Sequence, residues 1–126
     1  MKQITDAFGR RLQGYGITRV QWIALYYVKT RSKISQRDLS NLMYIMDSSA
    51  GRLIDRLERD GLIQRERNTE DRRVIYLELT DKGDKLITDL MPLGIQFNND
   101  LMEGIDDEEI RIYEKVLNKM LSNIAK

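Results

Sequence analysis

The chain of 126 residues carries 21 Lys/Arg and 20 Asp/Glu but no cysteine and no histidine. Disulfides, thiolate zinc sites and cysteine redox sensing are therefore excluded, and a transition metal would find only carboxylates. The net charge of +1 hides an asymmetry: residues 1–73 hold 15 basic and 9 acidic side chains (+6), and residues 74–126 hold 6 and 11 (−5), a basic front suited to a polyanion.

The length suits one domain, and no apolar run approaches the ~18–20 residues of a membrane span. The N-terminus, MKQITDAFGRR, lacks the apolar core of a signal peptide, so the expected location is the cytoplasm. In chain order, Ile4, Phe8 and Leu12 recur at i+4 and predict a short amphipathic helix ended by Gly14 and Gly16. Thr18 with Gln21 forms a capping-box pattern that opens a second helix. That helix is apolar on two sides, with Val20, Ile23, Ala24, Tyr27 and Val28 on one and Trp22, Leu25 and Tyr26 on the other, as expected of a central element.

Ser35 with Asp38 predicts a cap for a short helix over about 36–43, and Asp47 or Ser48 a cap for the next, over about 48–60. In that helix Ala50, Leu53, Ile54 and Leu57 make an inner stripe, which leaves Ser48, Ser49, Arg52 and Arg56 outside. Small hydroxyls at its start let a helix sit deep in a major groove, where Arg52 can read a guanine edge or clamp a phosphate. Ser35 and Gln36 open the preceding helix, whose free backbone amides suit a phosphate. Gly61 supplies a stop.

Residues 62–67 and 74–79 alternate with period two around a polar turn, the pattern of a β-hairpin. The first segment sets Leu62, Gln64 and Glu66 against Ile63, Arg65 and Arg67; the second sets Ile75, Leu77 and Leu79 against Val74, Tyr76 and Glu78. The tip carries Asp71, Arg72 and Arg73, and paired guanidiniums there suit a phosphate backbone or a minor groove. A helix pair followed by a basic hairpin is the plan of a winged helix-turn-helix. The expected fold is mainly α with a small β-hairpin.

Beyond the hairpin, Thr80-Asp81 opens a long helix bent by Pro92. Gly104 breaks the chain, and Asp106 with Glu109 caps a last helix. Its Ile110, Tyr113, Leu117, Met120, Leu121 and Ile124 form a heptad-like seam with little left to cover inside so small a chain. The acids at 106–109 are read as a cap rather than a metal or acid/base site, because a helix start favours negative charge.

The run DRLERDGLIQRERNTEDRRVIYLELTDKG, residues 55–83, resembles the MarR family of bacterial transcriptional regulators. The family's wing pattern, Asp-x-Arg, five residues, then Leu-Thr, falls on Asp71, Arg73, Leu79 and Thr80, and residues 17–25 and 52–58 resemble the family as well. The resemblance implies a single MarR-like domain over 1–126, with 18–80 as a winged lobe and 1–17 and 81–126 as dimerisation helices. It implies a homodimer, joined through Ile4, Phe8 and the last-helix seam, on a pseudo-palindromic double-stranded DNA operator. Arg73, with Arg72, then enters the minor groove while Asp71 holds the wing arginine. Many such regulators bind a small aromatic or amphipathic effector, and Phe8, Tyr15, Trp22 and Tyr26 are candidates to line such a pocket, although aromatics at helical spacing commonly form plain core.

The expectation is a transcriptional repressor without cofactor or metal, and not an enzyme: a nucleophile–base pair with histidine or cysteine and a glycine-rich phosphate loop are both missing. The alternative is a winged-helix protein-interaction module, which the salt dependence of binding discriminates.

Overall fold

The computed structural model describes residues 2–31 and 33–125. Among them the elements run α1 (Lys2–Arg11), α2 (Arg19–Thr30), β1 (Ile34–Ser35), α3 (Gln36–Met43), α4 (Asp47–Arg59), β2 (Ile63–Arg67), β3 (Ile75–Leu79), α5 (Asp81–Leu101) and α6 (Asp107–Ile124). They divide into two compact units, Met1–Ile95 and Gln96–Lys126. Among the described residues no helix is long and apolar enough to cross a membrane.

In the first unit the predicted stripes close on one another. Ala50, Ile54 and Leu57 of α4, Leu39 of α3, Ala24 and Leu25 of α2 and Ile87 of α5 have no exposed surface. Each large aliphatic among them contributes about 1.5–3 kcal/mol of gross burial energy. Thr18 and Gln21 form the expected capping box on α2, with Gln21 N donating to Thr18 Oγ1 and Thr18 N to Gln21 Oε1. Ser35 Oγ caps α3 by accepting from Asp38 N at 3.0 Å.

Two glycines of α5 permit close approach. A Cβ on Gly94 would lie 2.5 Å from the Trp22 ring, whose Nε1 donates to Leu90 O at 3.1 Å. A Cβ on Gly83 would lie 1.9 Å from Leu62 O. The same junction is tied by Thr80, whose hydroxyl donates to Gly61 O and whose oxygen accepts from Gly83 N. Gly61 adopts φ +77°, so the turn from α4 into β2 needs its lack of a side chain. Pro92 lies inside α5 without ending it.

The sheet differs from expectation in having a third strand. Its order is β1-β3-β2, all antiparallel, with Ile34 opposite Leu77 and Ser35 opposite Tyr76. Two residues are too few for alternation to register, so only the tertiary partner defines β1. Between β2 and β3, Ile63 faces Leu79, Arg65 faces Leu77 and Arg67 faces Ile75. Ile63 and Leu77 are buried while Gln64 and Glu78 are exposed, which matches the predicted parity.

The start of α4 also departs from expectation. Neither Asp47 nor Ser48 is its N-cap; Met46 is, and it makes no side-chain capping bond. Asp47 is instead the first helical residue, and its carboxylate lies 2.8 Å from the hydroxyl of buried Ser40. A tertiary hydrogen bond draws away the acid that would otherwise cap the helix.

The second unit holds the end of α5 and all of α6. Gly104 turns the chain at φ +81°. Asp106 and Glu109 form the expected capping box, Glu109 N to Asp106 Oδ1 at 2.8 Å and Asp106 N to Glu109 Oε1 at 3.1 Å. No residue of α6 is buried.

Candidate nucleic-acid interface

The wing tip is shaped by its own polar side chains. Asn68 Oδ1 accepts from Glu70 N and Asp71 N, and Asn68 N donates to Val74 O, the local bonding that lets Asn replace a backbone turn. The Arg67 guanidinium donates to Arg72 O. Arg73 makes a two-point fork with Asp71, Nε to Oδ1 at 3.1 Å and Nη2 to Oδ2 at 3.2 Å, and its backbone N–H adds a third bond to Oδ1. The Arg73 side chain holds Asp71's carboxyl below its ordinary 3.8, the Arg73 backbone amide adds to this, and desolvation opposes both. The Arg73 side chain remains 91% exposed, so the pairing orients the cation without hiding it.

On α4, Ser48, Arg52 and Arg56 are exposed and Ser49 is half-buried. Arg52 Nη2 donates to Ser49 Oγ at 3.3 Å, which draws the guanidinium toward the first turn. Ser35, the cap of α3, and Gln36, its first residue, line one open cleft of about 580 Å³ with Asp71 and Arg73 of the wing, shared with Arg37, Asp38 and Asp47. The folded lobe thus brings the start of α3 and the wing tip, far apart in sequence, to one concavity.

What joins that concavity to α4 is Arg65, a residue with no assigned role in the sequence reading. Its Nε donates to Gln36 Oε1 at 3.1 Å, Nη1 to Glu58 Oε1 at 3.0 Å and Nη2 to Gly51 O at 3.3 Å, while Nη2 pairs with Asp55 Oδ1 at 2.7 Å. The Arg65 backbone N–H also reaches Glu58 Oε2. Every guanidinium nitrogen is engaged, and the fork links β2 to α3 and α4 as a planar, multi-donor cation can. The clue was its parity: Arg65 shares the inward face of its strand with Ile63, and an inward cation needs acceptors.

The aromatic residues form a packed group. Phe8 meets Trp22 edge-on at 5.1 Å, and Trp22 stacks on Tyr26 at 5.3 Å. Tyr15 is 50% exposed. Of the residues expected at a subunit interface, Ile4 is half-buried and Phe8 is buried. In the second unit Ile110 is half-buried, whereas Tyr113, Leu117, Met120, Leu121 and Ile124 are all exposed. Ile112 and Val116, which the seam did not include, are exposed too and widen the apolar band. Among the described residues no group of acids is arranged to hold a metal.

Comparison with known proteins gives concordant findings. A model described as the MarR family matches residues 15–74. The uncharacterized HTH-type transcriptional regulator YsmB of Bacillus subtilis (strain 168) is 32% identical over 109 residues, covering 86% of this chain and 75% of that protein. Among solved structures, S. aureus MepR in complex with DNA superposes with a TM-score of 0.87 at 24% identity, over 97% of this chain and 90% of that one. AbsC, a MarR family transcriptional regulator from Streptomyces coelicolor, superposes with a TM-score of 0.91 at 20% identity, over 98% and 86%.

Proposed function

The chain belongs to the MarR family, and from that premise we propose that this transcriptional regulator is a cytoplasmic homodimeric repressor of a pseudo-palindromic DNA operator. Residues 18–80 form the DNA-binding lobe, and 1–17 with 81–126 supply the dimerisation helices. The carrying observation is the cleft that gathers Ser35, Gln36 and Arg73, with Arg65 fastening α4 and its exposed Arg52 to the same body. One rigid body then presents a helix to the major groove and a guanidinium-tipped hairpin to the adjacent minor groove. Arg73, held by Asp71, and Arg72 supply the wing contacts. Ser48, Ser49, Arg52 and Arg56 supply those of α4, and Ser35 and Gln36 meet a phosphate at the start of α3.

The apolar band of α6 supports the dimer. A stripe of exposed Leu, Ile and Met on one helix is matched most simply by the same stripe on a second copy. Two lobes must then dock about one helical turn of DNA apart. An aromatic or amphipathic effector that alters their spacing would release the operator, and its entry requires the Phe8–Trp22–Tyr26 group to part.

Selection of bound fragments from a random duplex library, followed by titration over a range of salt, tests the reading. Affinity is expected to fall steeply as salt rises. Arg73→Ala lowers affinity for all sequences and flattens that salt dependence, whereas Arg52→Ala costs about 1–3 kcal/mol at one base position and relaxes preference there. Binding that ignores salt and both substitutions would assign the wing to a protein partner instead.

A further inference from the structure

The turn between α3 and α4 exposes two large apolar side chains at the head of the helix assigned to the major groove. Ile45 of this turn is half-buried, while Tyr44 and Met46 on either side are 95% and 72% exposed. Both positions run against local preference. Tyr44 is the C-cap of α3 and holds a left-handed backbone, φ 55° and ψ 42°, where glycine or asparagine is the usual choice and a bulky side chain is strained. Met46 occupies the N-cap of α4 without any capping bond, where Ser, Thr, Asp or Asn would satisfy an open amide. Strain and an unmet cap at one exposed turn are retained where they serve a contact.

We propose that Met46 is a specificity-determining residue that reads the methyl group of a thymine in the operator major groove. The proposal rests on the operator-binding reading above and adds to it a base and a chemical group. Met46 directly precedes the first turns of α4, which also carry Ser48, Ser49 and Arg52. Residues at the start of a groove-bound helix are those nearest to base edges. Thymine alone presents an apolar group in the major groove, and a flexible, polarizable thioether adapts its surface to a methyl. Exposed Arg52 in the same first turns of α4 favours a polyanion over an apolar protein surface as the occupant. The left-handed residue at Tyr44 ends α3 and starts the short turn that delivers Met46 to this position.

The test replaces each thymine of the selected half-site by deoxyuridine, which removes the C5 methyl and leaves the pairing edge intact. With the unaltered protein, one thymine per half-site is expected to lose about three- to fivefold in affinity on this change. Met46→Ala should bind the thymine operator that much more weakly and bind both operators equally. Met46→Ser should show the same loss while raising the thermal midpoint, because serine restores the cap; a weaker grip in a more stable protein cannot be a folding defect. Equal thymine-to-deoxyuridine ratios for the unaltered protein and Met46→Ala at every position, with salt-dependent operator binding retained, would overturn the methyl contact and leave the operator reading standing. A selected half-site without thymine would overturn it too. Recovery of no DNA fragment by the unaltered protein would overturn both.

Discussion

Helices α4 and α6 carry the same kind of pattern and meet different fates. Each has an apolar stripe at helical spacing and polar residues elsewhere. In α4 the stripe is closed within the chain: Ala50, Ile54 and Leu57 have no exposed surface, and charge is what remains outside. In α6 nothing is buried, and Tyr113, Leu117, Met120, Leu121 and Ile124 stand in solvent. A helix with its apolar side satisfied offers cations to a polyanion. A helix with its apolar side open leaves a surface for which a second copy is the proposed cover.

The largest expected effect comes from closing that difference by making α6 polar. Leu117→Asp combined with Leu121→Asp places two carboxylates in the seam of each copy, and sedimentation should then report a monomer. The lobe keeps its helical circular dichroism, because neither residue is buried in the chain's own core. Operator affinity should fall by about a hundredfold or more, because docking of the second lobe is no longer intramolecular. An unchanged sedimentation coefficient would mean that something other than a second copy covers the band.

A smaller effect tests whether α4 and the wing act as one body. Arg65→Met keeps the aliphatic stem and removes all four guanidinium contacts. The side chains of Asp55 and Glu58 are 68% and 41% exposed, so solvent screens part of the loss, and about 1–2 kcal/mol of stability is expected to go. Amide exchange should quicken through β2 and β3. Affinity for the operator should fall with the salt dependence intact, unlike Arg73→Ala, because Arg65 positions the wing and touches no phosphate. Arg65→Lys should not restore it, since one ammonium cannot span acceptors on α3 and α4 together. A salt slope that drops with Arg65→Met would place this residue in direct contact with DNA.

What was legible in the chain follows the reach of each interaction. The caps at Thr18/Gln21, Ser35/Asp38 and Asp106/Glu109 were readable because both partners lie three residues apart. The wing was readable because its period of two is local and its parity survives in the register. Strand β1 was not, because Ile34 finds its place only against Leu77. The cap of α4 was misplaced because Ser40, seven residues away, holds Asp47. The aromatic residues read alike as pocket or core, and their spacing could not show that Trp22 meets Leu90 O and the bare backbone of Gly94. Arg65 escaped notice because its acceptors come from two helices, although its inward parity was visible.

The smallest effect concerns a titratable contact at the wing tip. Asp71's carboxyl is held below 3.8 chiefly by the Arg73 side chain and next by the Arg73 backbone amide, against a small desolvation. A carboxyl lowered in the folded state lends stability above its unfolded value and loses it as pH falls through the folded one. At neutral pH the Asp71 carboxylate is therefore ionised and able to hold the fork, and it is lost as a partner only in acid below 3.8. Arg73→Ala removes the larger cause and keeps the backbone N–H, so Asp71 should titrate higher than before yet still below the ordinary value. A carbon-13 NMR titration of the Asp71 carboxyl reads this directly. An unmoved titration would show that Arg73 is not held by Asp71 in solution, and the wing would then meet DNA with a free guanidinium whose ordering must come from the complex itself.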